Sequence, residues 1–187
     1  MDLRIEGENI PAIAGLDGAE GAVLYASSFS KIVAPGVRLG WVVAPTEVME
    51  RLTTIKIDGG TNHFAAMAVY RYLREHRKAH VADLIQGLRR KRDAMLSALG
   101  EAFGPRAQWS HPRGSMYIWL RLPEGADTAA VQEKALHAGV SYYNGSLFSP
   151  DGKGKNCLRL CYAYPKPHEI HEGVHLLASI FEREGLL

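Results

Sequence analysis

Only two apolar runs in the first sixty residues are long enough to be strands, Ala22-Val23-Leu24-Tyr25-Ala26 and residues 39–44. Two strands with their loops cannot form a stable sheet alone. Either they join a sheet supplied by another piece of chain, or the domain they belong to is incomplete. A length of 187 residues suits one domain or part of a larger one.

The rest of the chain has a different rhythm. Pro45 closes the second run, and Thr46 is placed to cap a helix to about Lys56, which Asp58-Gly59-Gly60 breaks. Thr61 is expected to cap a long helical stretch. Charge crowds residues 74–78, so a bend is expected there. Beyond it Leu84, Leu88, Met95 and Leu99 form an apolar stripe, ended by Gly100 and Gly104-Pro105. The remainder alternates. Strands are expected near 107–110 and 116–122, a helix over 128–137, strands near 140–143 and 157–163, and a last helix over 167–184. That helix carries Ile170, Val174, Leu177 and Phe181 on one face. The fold class is α/β, with domain limits expected at 1–75, 76–102 and 103–187.

A chain that is 47% hydrophobic and 22% charged can bury a core. A net charge of +2 is too small to argue for nucleic acid or a membrane surface as partner. No apolar run approaches a membrane span and no secretory signal opens the chain. Cys157 and Cys161 fall on one face of an expected strand, too far apart to bridge easily. Reduced thiols and a cytoplasmic protein are the expectation.

The chemistry concentrates in Ser27-Ser28-Phe29-Ser30-Lys31, directly after the first strand, and Ala34-Pro35-Gly36-Val37-Arg38-Leu39-Gly40-Trp41 just beyond it. Hydroxyls three and one residues before a lysine, with an arginine seven after it across a Pro-Gly turn, can converge on one anion. The guanidinium offers a fork suited to phosphate. A lysine beside that pocket can lose its proton and attack a carbonyl. A lone Ser-x-x-Lys would be no more than a surface loop; the whole string is similar to the cofactor-lysine signature of class I/II aminotransferases of pyridoxal-phosphate (PLP) fold type I. Within that group it looks closest to the branch of 2-aminoadipate-type aminotransferases and MocR-type regulators.

The resemblance extends along nearly the whole chain. Arg113-Gly114-Ser115-Met116-Tyr117-Ile118-Trp119-Leu120 is similar to the entry of the family's small domain, and Asn156-Cys157-Leu158-Arg159-Leu160 to its Asn-x-x-Arg-Leu segment. The resemblance implies a C-terminal part of the large PLP-binding domain, an interdomain helix and a small α+β domain, in a homodimer. Lys31 would form the internal aldimine with PLP and act as the catalytic base; Ser28, Ser30 and Arg38 would bind the cofactor phosphate. Arg159 would fork onto the substrate α-carboxylate. The reaction implied moves an amino group between an amino acid and a 2-oxo acid. From its neighbours alone, Arg159 is expected to face a buried anion or a salt bridge.

Two departures stand out. The family's pyridine-nitrogen partner is an aspartate in an Asp-x-x-Tyr segment, and Asp2-Leu3-Arg4-Ile5-Glu6-Gly7 looks like the stretch immediately after that segment. Asp2 is therefore not expected to be the partner, and the chain reads as N-terminally truncated. Tyr143-Asn144-Gly145-Ser146-Leu147-Phe148 lacks the Pro-Gly that relatives carry before the phenylalanine, which bears on loop shape and substrate preference.

Other signals carry less. Arg89-Arg90-Lys91-Arg92 shares a helix with the leucine stripe and is expected to be a solvated face. His168, His171 and His175, with Glu169 and Glu172, fall at helical spacing without the His-Glu-x-x-His pattern, so no metal is expected. Gly152-Lys153-Gly154-Lys155 lacks the spacing of a P-loop. The alternatives to an enzyme are the ligand-sensing domain of a MocR-type regulator and an inactive remnant.

Overall fold

The computed structural model describes residues 3–8 and 10–187. The chain divides into two compact units, Met1–Leu84 and Ile85–Leu187. Asp2 lies outside the described residues.

In the first unit, strands β1 (Tyr25–Ser28) and β2 (Gly40–Val43) pair antiparallel, from Tyr25 opposite Val43 to Ser28 opposite Gly40. β1 begins three residues later than the apolar run, because a turn at Gly21 (φ 77°) directs the Ala22 amide to the Ala19 carbonyl. Pairing starts only once the chain leaves that turn, and it carries the polar Ser27 and Ser28 into the strand. Neither face of the hairpin is covered: Val42 and Val43 are exposed, and Tyr25 meets Trp41 edge to face at 4.8 Å.

Helix α1 (Thr46–Ile55) has Pro45 at its N-cap, so Thr46 is the first helical residue and not the cap. Helix α2 (His63–Ala102) comes next, 40 residues long. Its cap is Asn62, whose Oδ1 accepts the Ala65 amide at 3.1 Å, and not Thr61. The bend expected at 74–78 is absent: α2 runs through that segment. Those residues contain neither proline nor glycine, and their charged side chains are solvated, so nothing interrupts the backbone ladder. Gly100 is likewise helical. The helix ends after Ala102, and Gly104 takes a left-handed conformation (φ 51°) that few other residues adopt readily.

The second unit holds a four-stranded antiparallel sheet in the order β3-β4-β6-β5. Its strands are β3 (Gln108–Trp109), β4 (Tyr117–Arg121), β5 (Tyr143–Asn144) and β6 (Cys157–Cys161). β4 and β6 set Ile118 opposite Leu160 and Leu120 opposite Leu158, all four buried. Each such side chain contributes about 1.5–3 kcal/mol on burial. Helices α3 (Thr128–His137) and α4 (Pro167–Arg183) add Ala135, Leu177 and Phe181 to this core, which Phe103 joins at 6.3 Å from the Phe181 ring. The Asp127 carboxylate caps α3 by accepting the Ala129 and Ala130 amides. β5 starts late because Tyr142 just before it is buried, its hydroxyl donating to the Thr128 carbonyl at 2.6 Å.

The basic run on α2 is a solvated face only in part. Arg89 and Arg90 are exposed, whereas Lys91 donates to the Ala163 and Tyr164 carbonyls. Arg92 is buried, paired with Asp93 and donating to the Pro112 carbonyl. Both cations tie loops to the helix. Cys157 and Cys161 are free thiols, the first buried and the second exposed.

Candidate functional site

The sequence-predicted lysine loop closes the β1–β2 hairpin, joining Ser28 to Gly40. Ser28 closes β1 opposite Gly40, and the Phe29 amide donates to the Leu39 carbonyl at 3.1 Å, so the loop base is pinned on both sides. Gly40 eases the pairing there, since a Cβ would stand 3.0 Å from the Ser27 carbonyl oxygen. The Ile32 and Val33 amides both donate back to the Phe29 carbonyl, folding a tight turn around Ser30 and Lys31. A single 3₁₀ turn over Pro35–Val37 then delivers Arg38 in the left-handed region, φ 52° and ψ 38°. For a non-glycine residue this costs about 1–2 kcal/mol. Its guanidinium donates from Nη1 to the Pro35 carbonyl at 3.0 Å. Ser28, Lys31 and Arg38 are exposed, Ser30 half-buried. Among the described residues Lys31 has no hydrogen-bond or ion-pair partner.

Two side chains hold this loop that sequence reasoning did not single out. The Ile32 carbonyl, next to Lys31, receives a hydrogen bond from His80 Nε2 at 2.6 Å. A carbonyl only accepts, so Nε2 carries the proton; in the neutral ring Nδ1 then accepts from the Tyr72 hydroxyl, 3.0 Å away. Tyr72 and His80 also meet edge to face at 5.3 Å. The only available signal was their separation of eight residues on one helix face.

Arg159 belongs to the second unit, at the centre of β6. The register sets Trp119 opposite it on β4 and Tyr143 opposite it on β5. Strand alternation sends Leu158 and Leu160 into the core and Arg159 to the other face. There the guanidinium lies 4.3 Å from the Tyr117 ring centre, 4.5 Å from that of Phe148 and 5.0 Å from that of Tyr143. Of the buried anion or salt bridge expected for it, no salt bridge forms among the described residues, and the guanidinium meets three aromatic faces. Two of the three rings, Tyr143 and Phe148, bound the segment that lacks the family's Pro-Gly. Gly145 permits the loop because a Cβ would overlap the Gly154 carbonyl and Cys157, and Asn144 is buried with its amide donating to Gln132 Oε1 at 2.7 Å. Asn156, just before β6, is structural here: its Nδ2 donates to the Leu122 carbonyl at 2.7 Å.

A left-handed Ser115 (φ 72°) precedes β4 and is held through its carbonyl by the Tyr162 hydroxyl at 2.9 Å. Burial pushes the Tyr162 phenol up to about 12. Among the described residues, no helix is long and apolar enough to cross a membrane.

Comparison with known proteins places these features in a family. The family model of aminotransferase class I and II matches residues 5–177. The chain is 37% identical over 186 residues to aromatic-amino-acid aminotransferase 1 of Thermococcus litoralis, covering 98% of this chain and 44% of that relative. It is 38% identical over 177 residues to the HTH-type transcriptional regulator NorG of Staphylococcus aureus, covering 92% and 39%. The crystal structure of LysN, an α-aminoadipate aminotransferase from Thermus thermophilus complexed with N-(5′-phosphopyridoxyl)-L-leucine, superposes with a TM-score of 0.91 at 30% identity. That match covers 100% of this chain and 49% of that one. The chain thus spans less than half the length of these relatives, and its mixed α/β fold is part of fold type I. The family's cofactor is pyridoxal 5′-phosphate. By sequence and by fold, the chain belongs to the class I and II aminotransferases.

Proposed function

We propose that the chain is the lysine-bearing part of a PLP-dependent aminotransferase that moves an amino group between an amino acid and a 2-oxo acid, working as a cytoplasmic homodimer. The observation that carries this reading is the β1–β2 loop, which bears Ser28, Ser30, Lys31 and Arg38 on one stretch of chain and leaves the lysine without a partner among the described residues.

The donor set fits the cofactor's phosphate. Two hydroxyls and a guanidinium supply neutral and charged donors, and the exposed Arg38 head spends only Nη1 on its own loop. When bound, PLP supplies the electron sink that makes the substrate Cα proton removable. The other tasks fall to the chain. Lys31 Nζ would hold the cofactor, and its amine would take the substrate Cα proton and hand it back. Arg159 would receive the substrate α-carboxylate in its fork, its guanidinium lying among the Tyr117, Tyr143 and Phe148 rings.

In the full-length protein, incubation with PLP, borohydride reduction and peptide mapping test the assignment. The reduced phosphopyridoxyl group is expected on Lys31; its recovery on another lysine overturns the reading. The identity to NorG supports a second reading, in which the same lysine loop belongs to the ligand-sensing part of a transcription regulator. The two part on turnover: an aminotransferase releases a 2-oxo acid from its amino-acid ligand, and a sensor binds without releasing one.

A further inference from the structure

α4 carries His171 and His175 at i and i+4, with ring centres 4.3 Å apart on one side of the helix. The neighbour they face was not evident from their own helix. It is Glu101, in the last turn of α2, whose Oε2 lies 2.7 Å from His171 Nε2 and 3.4 Å from His175 Nε2. The second carboxylate oxygen is already engaged, accepting from Ser97 Oγ at 2.9 Å, which turns Oε2 toward the imidazoles. All three ligand atoms lie within 4.8 Å of one another.

We propose that Glu101, His171 and His175 form a binding site for one divalent transition-metal ion of the Zn²⁺ class, pinning α4 to the end of α2 within the second unit. Ligands around a tetrahedral zinc ion at about 2.0–2.1 Å stand some 3.3–3.4 Å apart. The His175–Glu101 pair already has that spacing, the His171–Glu101 pair opens by about half an ångström, and the two imidazole nitrogens, within 4.8 Å of each other, close toward it. The opening is easy, because the side chains of Glu101, His171 and His175 are 48%, 52% and 42% exposed. The fourth position is left to water. Two imidazoles and one carboxylate select zinc-like ions over Mg²⁺ and Ca²⁺, which prefer all-oxygen shells. Ser97 acts as the outer partner that orients the carboxylate, as such sites commonly require. The ion takes the place of the His171–Glu101 and His175–Glu101 contacts and does not fill a void.

The test uses the untagged, chelator-treated chain at neutral pH with Zn²⁺ as probe, followed by calorimetry and thermal melting. One ion per chain is expected, with a Tm rise of about 5 °C or more at a hundredfold excess over Kd. H171N, H175N and E101Q should each weaken binding at least tenfold, and S97A, with all ligands in place, by about tenfold. Each substituted side chain is substantially exposed or short, so folding is not at stake. The proposal is overturned if Zn²⁺ does not bind, if Mg²⁺ gives the same shift, or if H171N and E101Q bind within twofold of the parent. It is equally overturned if binding is lost in C161S, which would move the ion to the exposed thiol.

Discussion

Replacing His80 with leucine should loosen the lysine loop without touching any residue in it. His80 Nε2 is the donor to the Ile32 carbonyl at 2.6 Å, a part-buried bond made 48 residues away in sequence. Leucine occupies similar space but leaves that carbonyl and the Tyr72 hydroxyl without their partner. Losing a hydrogen bond of this kind and stranding its acceptor costs about 1–3 kcal/mol. The cost falls on the loop, because the Ile32 and Val33 amides that fold the turn share the backbone His80 holds. Through RT, about 1.4 kcal/mol is a factor of ten. Hydrogen exchange read by mass spectrometry on peptides spanning 29–33 should therefore accelerate about tenfold in H80L, with peptides of α3 and α4 unchanged. H80Q, whose amide can still donate to the carbonyl, should recover part of the protection. If H80L exchanges within twofold of the parent across 29–33, the loop is held by its own turns and His80 is incidental to it.

Two further outcomes are expected in the second unit. On the proposed aminotransferase reading, R159A in the full-length protein should lower kcat/KM for amino acids by roughly thirtyfold or more while PLP binding is retained, because a charged fork to a carboxylate is lost; a variant within threefold of the parent would make the arginine structural. Burial holds the Tyr142 and Tyr162 phenols at about 12, above their ordinary 10. The folded state therefore keeps protons that the unfolded chain gives up, and stability should be intact below pH 10 and fall between pH 10 and 12, by about 2–3 kcal/mol for each phenol. Denaturant melts in that interval check it: Y142F should flatten the decline, and a parent whose stability does not fall there contradicts the assignment.

What the sequence made legible was local. The limits of α3 agree with the pattern because Asp127 supplies its cap from the adjacent position and Gly139 lies just past its end. The lysine string is continuous in sequence and is therefore continuous in the loop. Charge density at 74–78 misled, since charges on an exposed helix are screened and only backbone breakers stop the ladder. Thr61 and Asn62 both suit a cap, and nothing local chooses between them. The aromatic cage of Arg159 depended on which strands flank β6 and in what register: Tyr143 arrives from β5, Tyr117 from β4 and Phe148 from the intervening loop. His80 and Glu101 were silent in the sequence for the same reason, each acting on a partner brought close only by tertiary folding.

The two units should also differ in resistance to unfolding. Among the described residues, the first unit buries Leu3, Ile5, Leu39 and Val69, four apolar side chains, against twenty-two in the second. At about 1.5–3 kcal/mol for a large side chain, that gap exceeds any difference in capping or hydrogen bonding. The first unit moreover exposes Ile57, Phe64, Met67 and Tyr70 beside a hairpin open on both faces. In denaturant, exchange protection across β1, β2 and α1 should therefore vanish at lower concentration than across β4, β6 and α4. The exposed hairpin edges and apolar side chains should also make the chain associate as its concentration rises. Pulse-labelling exchange against urea, with light scattering on the same samples, reads both effects. A single transition with all peptides losing protection together would show that α2, shared by the two units, couples them into one cooperative body, and the argument from buried side chains would fail.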